Sequence, residues 1–123
     1  MKNILILENG RIIKNMIGKL SESKNYKILN PSPQSGYLEE SRIPDLVIAD
    51  LTSIKNKKVE MLMKLKNDAV ISMVPFLLII SEDKEKNNLL PLQNYYLNKP
   101  FTAGNLYSII DKIFLNAEGI SPW

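Results

Sequence analysis

The chain has 123 residues, no cysteine and no histidine, and 16 basic against 13 acidic residues leave a formal net charge of +3. That length suits one domain burying its own core. The missing residue types exclude disulfides, thiolate metal sites, zinc hydrolase chemistry, Ser-His or Cys-His nucleophile pairs and phosphohistidine relay. No apolar run approaches the ~18 residues that span a bilayer, so the expectation is a cytoplasmic protein without membrane contact.

In chain order, Ile4 to Leu7 is a continuous aliphatic run, the pattern of a strand buried on both faces. Ile12, Ile13, Met16, Ile17 and Leu20 follow as one helical stripe. Tyr26 to Leu29 reads as a weaker, edge-like strand, and Gln34 to Ser41 as a short helix containing Gly36. Leu46 to Ala49 is a second fully apolar strand. The next helix carries Val59, Leu62 and Met63, widened by Met61 and Leu65. Its lysines, Lys55, Lys57, Lys58, Lys64 and Lys66, read as a solvated face. No aromatics interleave with them as a single-strand platform requires, so nucleic-acid binding is not expected.

Phe76 to Ile80 is a third buried strand. Asp83 to Gln93 predicts a helix that Pro91 ends or kinks. Tyr95 to Leu97 predicts a second edge strand. Leu106, Ile109, Ile110, Ile113 and Phe114 form the clearest helical stripe, with Thr102 as N-cap. Strict β-α alternation with short links predicts a doubly wound α/β domain, a parallel sheet covered by helices on both faces.

In such sheets, functional groups gather beyond the carboxyl ends of the strands. Those positions hold Glu8 and Asn9 after the first strand and Asp50 after the third. The fourth strand ends at Ile80-Ser81 and the fifth at Lys99-Pro100. The order acid, acid, lysine just past apolar strands is the main chemical signal of the sequence. A lone Asp, Glu-Asn pair or lysine would otherwise read as a turn, loop or solvated residue.

The segments Ile4 to Asn9, Pro44 to Asp50, Pro75 to Ser81 and Tyr96 to Phe101 resemble the receiver domain of bacterial response regulators, the CheY-like family. The resemblance spans Lys2 to about Asn116. It implies a flavodoxin-like (βα)5 fold with strand order 2-1-3-4-5, a domain over residues 1–117 and a tail over residues 118–123. It also implies two-component signalling, with Asp50 as the phosphoacceptor and Lys99 contacting the phosphate. Magnesium would be held by Glu8, Asn9, Asp50 and the backbone carbonyl of Thr52. A cis bond at Pro100 would orient Lys99, and Tyr96 with the residue at position 80 would form the switch.

Several positions depart from that pattern. Asn9 replaces the second acid, which weakens magnesium binding. Ile80 stands where the family has a hydroxyl, and Ser81 restores that hydroxyl only if the fourth strand runs one residue further. Without the hydroxyl, Tyr96 reads as packing. The proline and glycine that usually shape the loop after the phosphoacceptor are missing from Leu51 to Lys58.

Two readings stay open: phosphorylation of Asp50 switching partner binding, or a pseudo-receiver in which Lys99 pairs with Asp50 and the fold is an interaction module. At most the chain would phosphorylate itself from a phosphodonor and dephosphorylate slowly. The resemblance places the partner, a sensor histidine kinase or another signalling protein, on the fourth helix, fifth strand and fifth helix, roughly Asp83 to Ala117. It predicts a monomer or weak dimer. A flavodoxin's phosphate loop is not present, since Glu8-Asn9-Gly10-Arg11 sets an acid where the phosphate would lie. No Walker motif exists.

Overall fold

The computed structural model describes residues 1–30, 43–55, 57–68, 73–81 and 94–117. Strand β1 (Lys2–Leu7) leads into helix α1 (Ile12–Lys24), followed by β2 (Tyr26–Leu29) and β3 (Leu46–Asp50). Then come α2 (Lys57–Asn67), β4 (Phe76–Ile80), β5 (Asn94–Asn98) and α3 (Ala103–Ala117). The five strands form one parallel sheet in the order β2-β1-β3-β4-β5. This is the doubly wound order that the resemblance to receiver domains implies. The two short, tyrosine-bearing strands lie at the edges.

The central strands are apolar throughout because both of their faces are covered. Ile4, Ile6, Leu46, Ile48, Leu77 and Ile79 point to one side, where they meet Ile13 and Ile17 of α1 and Leu106, Ile110, Ile113 and Phe114 of α3. Leu5, Leu7, Val47, Ala49, Phe76 and Leu78 point to the other, against Ile54 and against Met61, Leu62 and Leu65 of α2. Two separate cores result, one on each face of the sheet. Each buried aliphatic side chain contributes about 1.5–3 kcal/mol.

The helical stripes differ from expectation in detail. Ile12 is exposed at the start of α1, one residue ahead of the buried Ile13. Val59 and Met63 also face outward, and α2 turns Met61, Leu62 and Leu65 to the sheet. Successive residues on a helix are 100° apart, so a shift of one position moves a residue from core to surface.

The helix ends follow local chemistry. Thr102 caps α3 reciprocally: its Oγ1 accepts the Asn105 N–H at 3.0 Å, and Asn105 Oδ1 accepts the Thr102 N–H at 3.0 Å. Asn25 has φ 57° between α1 and β2, where asparagine tolerates the left-handed helix stop. The expected helices at 34–41 and 83–93, and the tail, lie outside the described residues. Among the described residues, no helix is long and apolar enough to cross a membrane.

Candidate functional site

The sheet register brings the sequence-predicted acids together. β1 pairs with β3 through Leu7 and Ala49, and the next step along that register sets Glu8 beside Asp50. These are the buried polar side chains of the described core, with 2% and 5% exposure. Asp50 is the last residue of β3, so its side chain leaves the sheet at the carboxyl end.

Three hydrogen bonds hold the Asp50 carboxylate. Its Oδ1 accepts the Thr52 N–H at 3.0 Å and the Thr52 hydroxyl at 2.6 Å. Its Oδ2 accepts Lys99 Nζ at 3.0 Å. Lys99 also donates to Thr52 Oγ1 at 2.6 Å, closing an Asp50–Thr52–Lys99 triangle. A carboxylate offers about four lone-pair sites; among the described residues two donors reach Oδ1 and one reaches Oδ2. The Lys99 backbone N–H bonds to the Ile80 carbonyl at 2.8 Å, and the Lys99-Pro100 peptide is cis.

The Asp50 carbonyl accepts the N–H groups of Ser53 and Ile54, both at 3.1 Å, which turns the chain sharply after β3. Ile54 is buried in the core on the α2 side of the sheet, the lower core. A hydrogen-bonded turn thus shapes this loop without the proline and glycine of the resembled family.

Glu8 occupies a different place from a free pocket ligand. Its Oε2 accepts the Ile13 N–H at 3.0 Å and its Oε1 the Lys14 N–H at 2.9 Å. Both carboxylate oxygens therefore satisfy orphan donors in the first turn of α1, where the helix dipole also favours an anion. Gly10, at φ 108°, lets the chain double back between Glu8 and the helix it caps. Asn9 is exposed, and its backbone N–H bonds to Ser53 Oγ at 3.1 Å. The carbonyl of Glu8 accepts a hydrogen bond from Lys58 Nζ, reaching in from the first turn of α2.

The remaining candidates lie on β4, just after it, and on β5. Ile80 is fully buried and pairs with Asn98. β4 ends there, and Ser81 follows, exposed at the surface. Tyr96 packs half-buried against the lower core.

Magnesium needs near-octahedral oxygen coordination and usually draws on carboxylates not otherwise engaged. Here the Glu8 carboxylate is engaged by two helix N–H groups. Asn9 is neutral, and a lysine ammonium is bonded to the Glu8 carbonyl. Among the described residues, no group of three or more acidic, histidine or cysteine side chains could hold a metal ion. Among the described residues Asp50 is the carboxylate here not engaged in capping, a donor set that supports at most weak magnesium binding.

Sequence reasoning missed two roles. The capping role of Glu8 left one sign, an acid shortly before a helical stripe, which does not tell a cap from an outward-facing ligand. That of Lys58 left one sign, a lysine in a helix's first turn, where acids are favoured.

No family model matches the chain. It is 26% identical over 110 residues to the phosphate regulon transcriptional regulatory protein PhoB of Pseudomonas aeruginosa, covering 85% of this chain. It spans about half, 48%, of the length of that curated relative. Among solved structures it is similar to the non-phosphorylated HemR receiver domain of Leptospira biflexa, with TM-score 0.72, 17% identity and coverage of 92% and 94% of the two chains. It is also similar to chemotaxis response regulator CheY4 of Vibrio cholerae, with TM-score 0.69, 15% identity and coverage of 92% and 98%. A third match is the receiver domain of a Pseudomonas aeruginosa sensor histidine kinase, described with magnesium coordinated in its active site cleft. It has TM-score 0.64, 16% identity and coverage of 90% and 95%. The chain therefore has the receiver fold of response regulators.

Proposed function

We propose that this chain is a response-regulator receiver module in which Asp50 accepts a phosphoryl group and thereby switches partner binding. The observation that carries this reading is the Asp50 carboxylate: buried, held by three hydrogen bonds, and with Lys99 as the donor to Oδ2 among the described residues. Phosphoryl transfer asks the protein chiefly for positioning and charge neutralisation. Asp50 Oδ2 would attack the phosphorus of a phosphoramidate or acyl phosphate in line with the leaving group. An O–P bond forms as the donor's P–N or P–O bond breaks, and the leaving group keeps the bonding pair, a nitrogen leaving group taking a proton from solvent and a carboxylate departing as the anion. Lys99, already at 3.0 Å from Oδ2, would follow the charge onto the phosphoryl oxygens. No step is assigned to a metal ion.

Such a modification would replace the Lys99–Asp50 contact, and β5 would transmit the change, since Lys99 follows it directly. The partner, a sensor histidine kinase or another signalling protein, would dock on the face spanning 83–117, of which β5 and α3 are described.

A second reading is supported by the closed Asp50–Thr52–Lys99 triangle. A pocket already neutralised can serve a pseudo-receiver, an interaction module independent of phosphorylation. Incubation with acetyl phosphate, followed by intact-mass measurement beside Asp50→Asn, separates the two. A gain of one phosphoryl group that the variant lacks supports the first reading. No gain, with partner binding intact, supports the second.

A further inference from the structure

We propose that the ammonium of Lys58 is a built-in second cation of the Asp50 pocket, letting it hold a phosphoryl-like anion without a divalent metal. This rests on the phosphoacceptor reading of Asp50 and concerns what balances the charge there.

Lys58 lies in the first turn of α2, where a positive charge opposes the helix dipole. It nevertheless reaches across to the end of β1 and donates to the Glu8 carbonyl. Glu8 follows the Leu7–Ala49 pair in register, so that carbonyl lies on the strand adjacent to Asp50. Neighbouring strands are ~4.8 Å apart, which keeps the ammonium at the same strand ends as Asp50. Lys99 approaches Asp50 from the opposite side, from β5 across the end of β4.

The strand ends thus carry two buried carboxylates, Asp50 in the pocket and Glu8 turned onto α1, and two ammoniums, Lys58 and Lys99. Opposite charges balance before any ion enters. In a metal-dependent pocket of this fold, a third carboxylate would be offset by the divalent ion. Here the third carboxylate is absent, because Asn9 stands in its place, and a tethered lysine occupies the same end of β1. An ammonium carries three N–H donors. Among the described residues one lies on the Glu8 carbonyl, leaving two for the oxygens of an incoming anion.

The test uses beryllofluoride as the phosphoryl mimic and fluorine NMR as the readout, with the whole chain titrated in EDTA and again in excess magnesium. The expected result is a bound resonance in EDTA, with affinity changed by less than about twofold on adding magnesium. Lys58→Ala should bind at least about tenfold more weakly in EDTA, while Lys58→Arg keeps most of the affinity. Binding that requires magnesium in the unmodified chain would overturn the inference and leave the phosphoacceptor reading standing. Binding in EDTA that Lys58→Ala does not weaken would also overturn it. The absence of binding in both conditions would overturn the phosphoacceptor reading itself. The comparison of EDTA with magnesium in the unmodified chain decides the matter even where a Lys58 variant folds poorly.

Discussion

Replacing Glu8 with alanine removes both acceptors from the start of α1 and leaves the N–H groups of Ile13 and Lys14 without their carboxylate. A hydrogen bond to a charged group contributes about 1.5–3 kcal/mol, and loss of a helix cap alone costs about 0.5–2 kcal/mol. The Ile13 bond is buried and the Lys14 bond partly so, so water replaces the second more readily than the first. The variant also regains the free energy of taking the carboxylate out of water. The net loss should be about 2–4 kcal/mol, a large share of the ~5–15 kcal/mol that holds a domain folded. Glu8→Gln should fall at the lower end, since its amide oxygen still accepts one N–H while its NH2 faces the other. Urea denaturation followed by far-UV circular dichroism, in EDTA, measures the difference through the midpoint at unchanged slope. A loss below about 1 kcal/mol in EDTA, or one seen only with magnesium present, would refute the capping role and return Glu8 to metal ligation.

Thr102→Ala removes the reciprocal cap of α3 and should lower stability by about 1 kcal/mol, read from the same urea midpoint. Leu65→Ala opens a cavity between α2 and the sheet, at a fully buried position, and should cost about 2–5 kcal/mol. The Tyr26 hydroxyl is held above its ordinary pKa of 10.0 by burial first and by the neighbouring Asp111 carboxylate second. The folded state therefore keeps that proton after the unfolded chain has lost it. Stability should fall as pH rises from 10.0 toward the raised value, and Tyr26→Phe should reduce that slope in urea midpoints measured across the alkaline range.

The parts of this protein legible in its sequence are those set by short-range pattern. The unbroken runs in β1, β3 and β4 announce strands covered on both faces, because no polar residue interrupts them. Tyr26 to Leu29 and Tyr95 to Leu97, shorter and more mixed, announced edges, and β2 and β5 are the edges of the sheet. The stripe of α3 was read correctly because its apolar residues recur at close to the helical period. The stripe of α1 was read one residue too wide and that of α2 two residues too wide. Ile12, Val59 and Met63 are apolar, but only the sheet's position decides which of several adjacent apolar residues meets it.

Asp50 and Lys99 could be singled out because each follows an apolar strand, and their 3.0 Å contact is made by residues 49 positions apart. What each partner does there was not legible. Nothing in a linear pattern says that Glu8 turns its carboxylate back to α1 rather than outward. That depends on Gly10 and on where the helix begins. Nor does a run of lysines say which one folds over a strand end, although Lys58 alone of that cluster reaches the Glu8 carbonyl among the described hydrogen bonds.

The sequence by itself determined the alternation of buried strands and amphipathic helices, and with it the doubly wound sheet, because burial on two faces imposes a composition visible residue by residue. Tertiary structure alone decided the electrostatics of the strand ends. The charges there come from β1, β3, α2 and the end of β5, and only the closed sheet sets the distances through which they act.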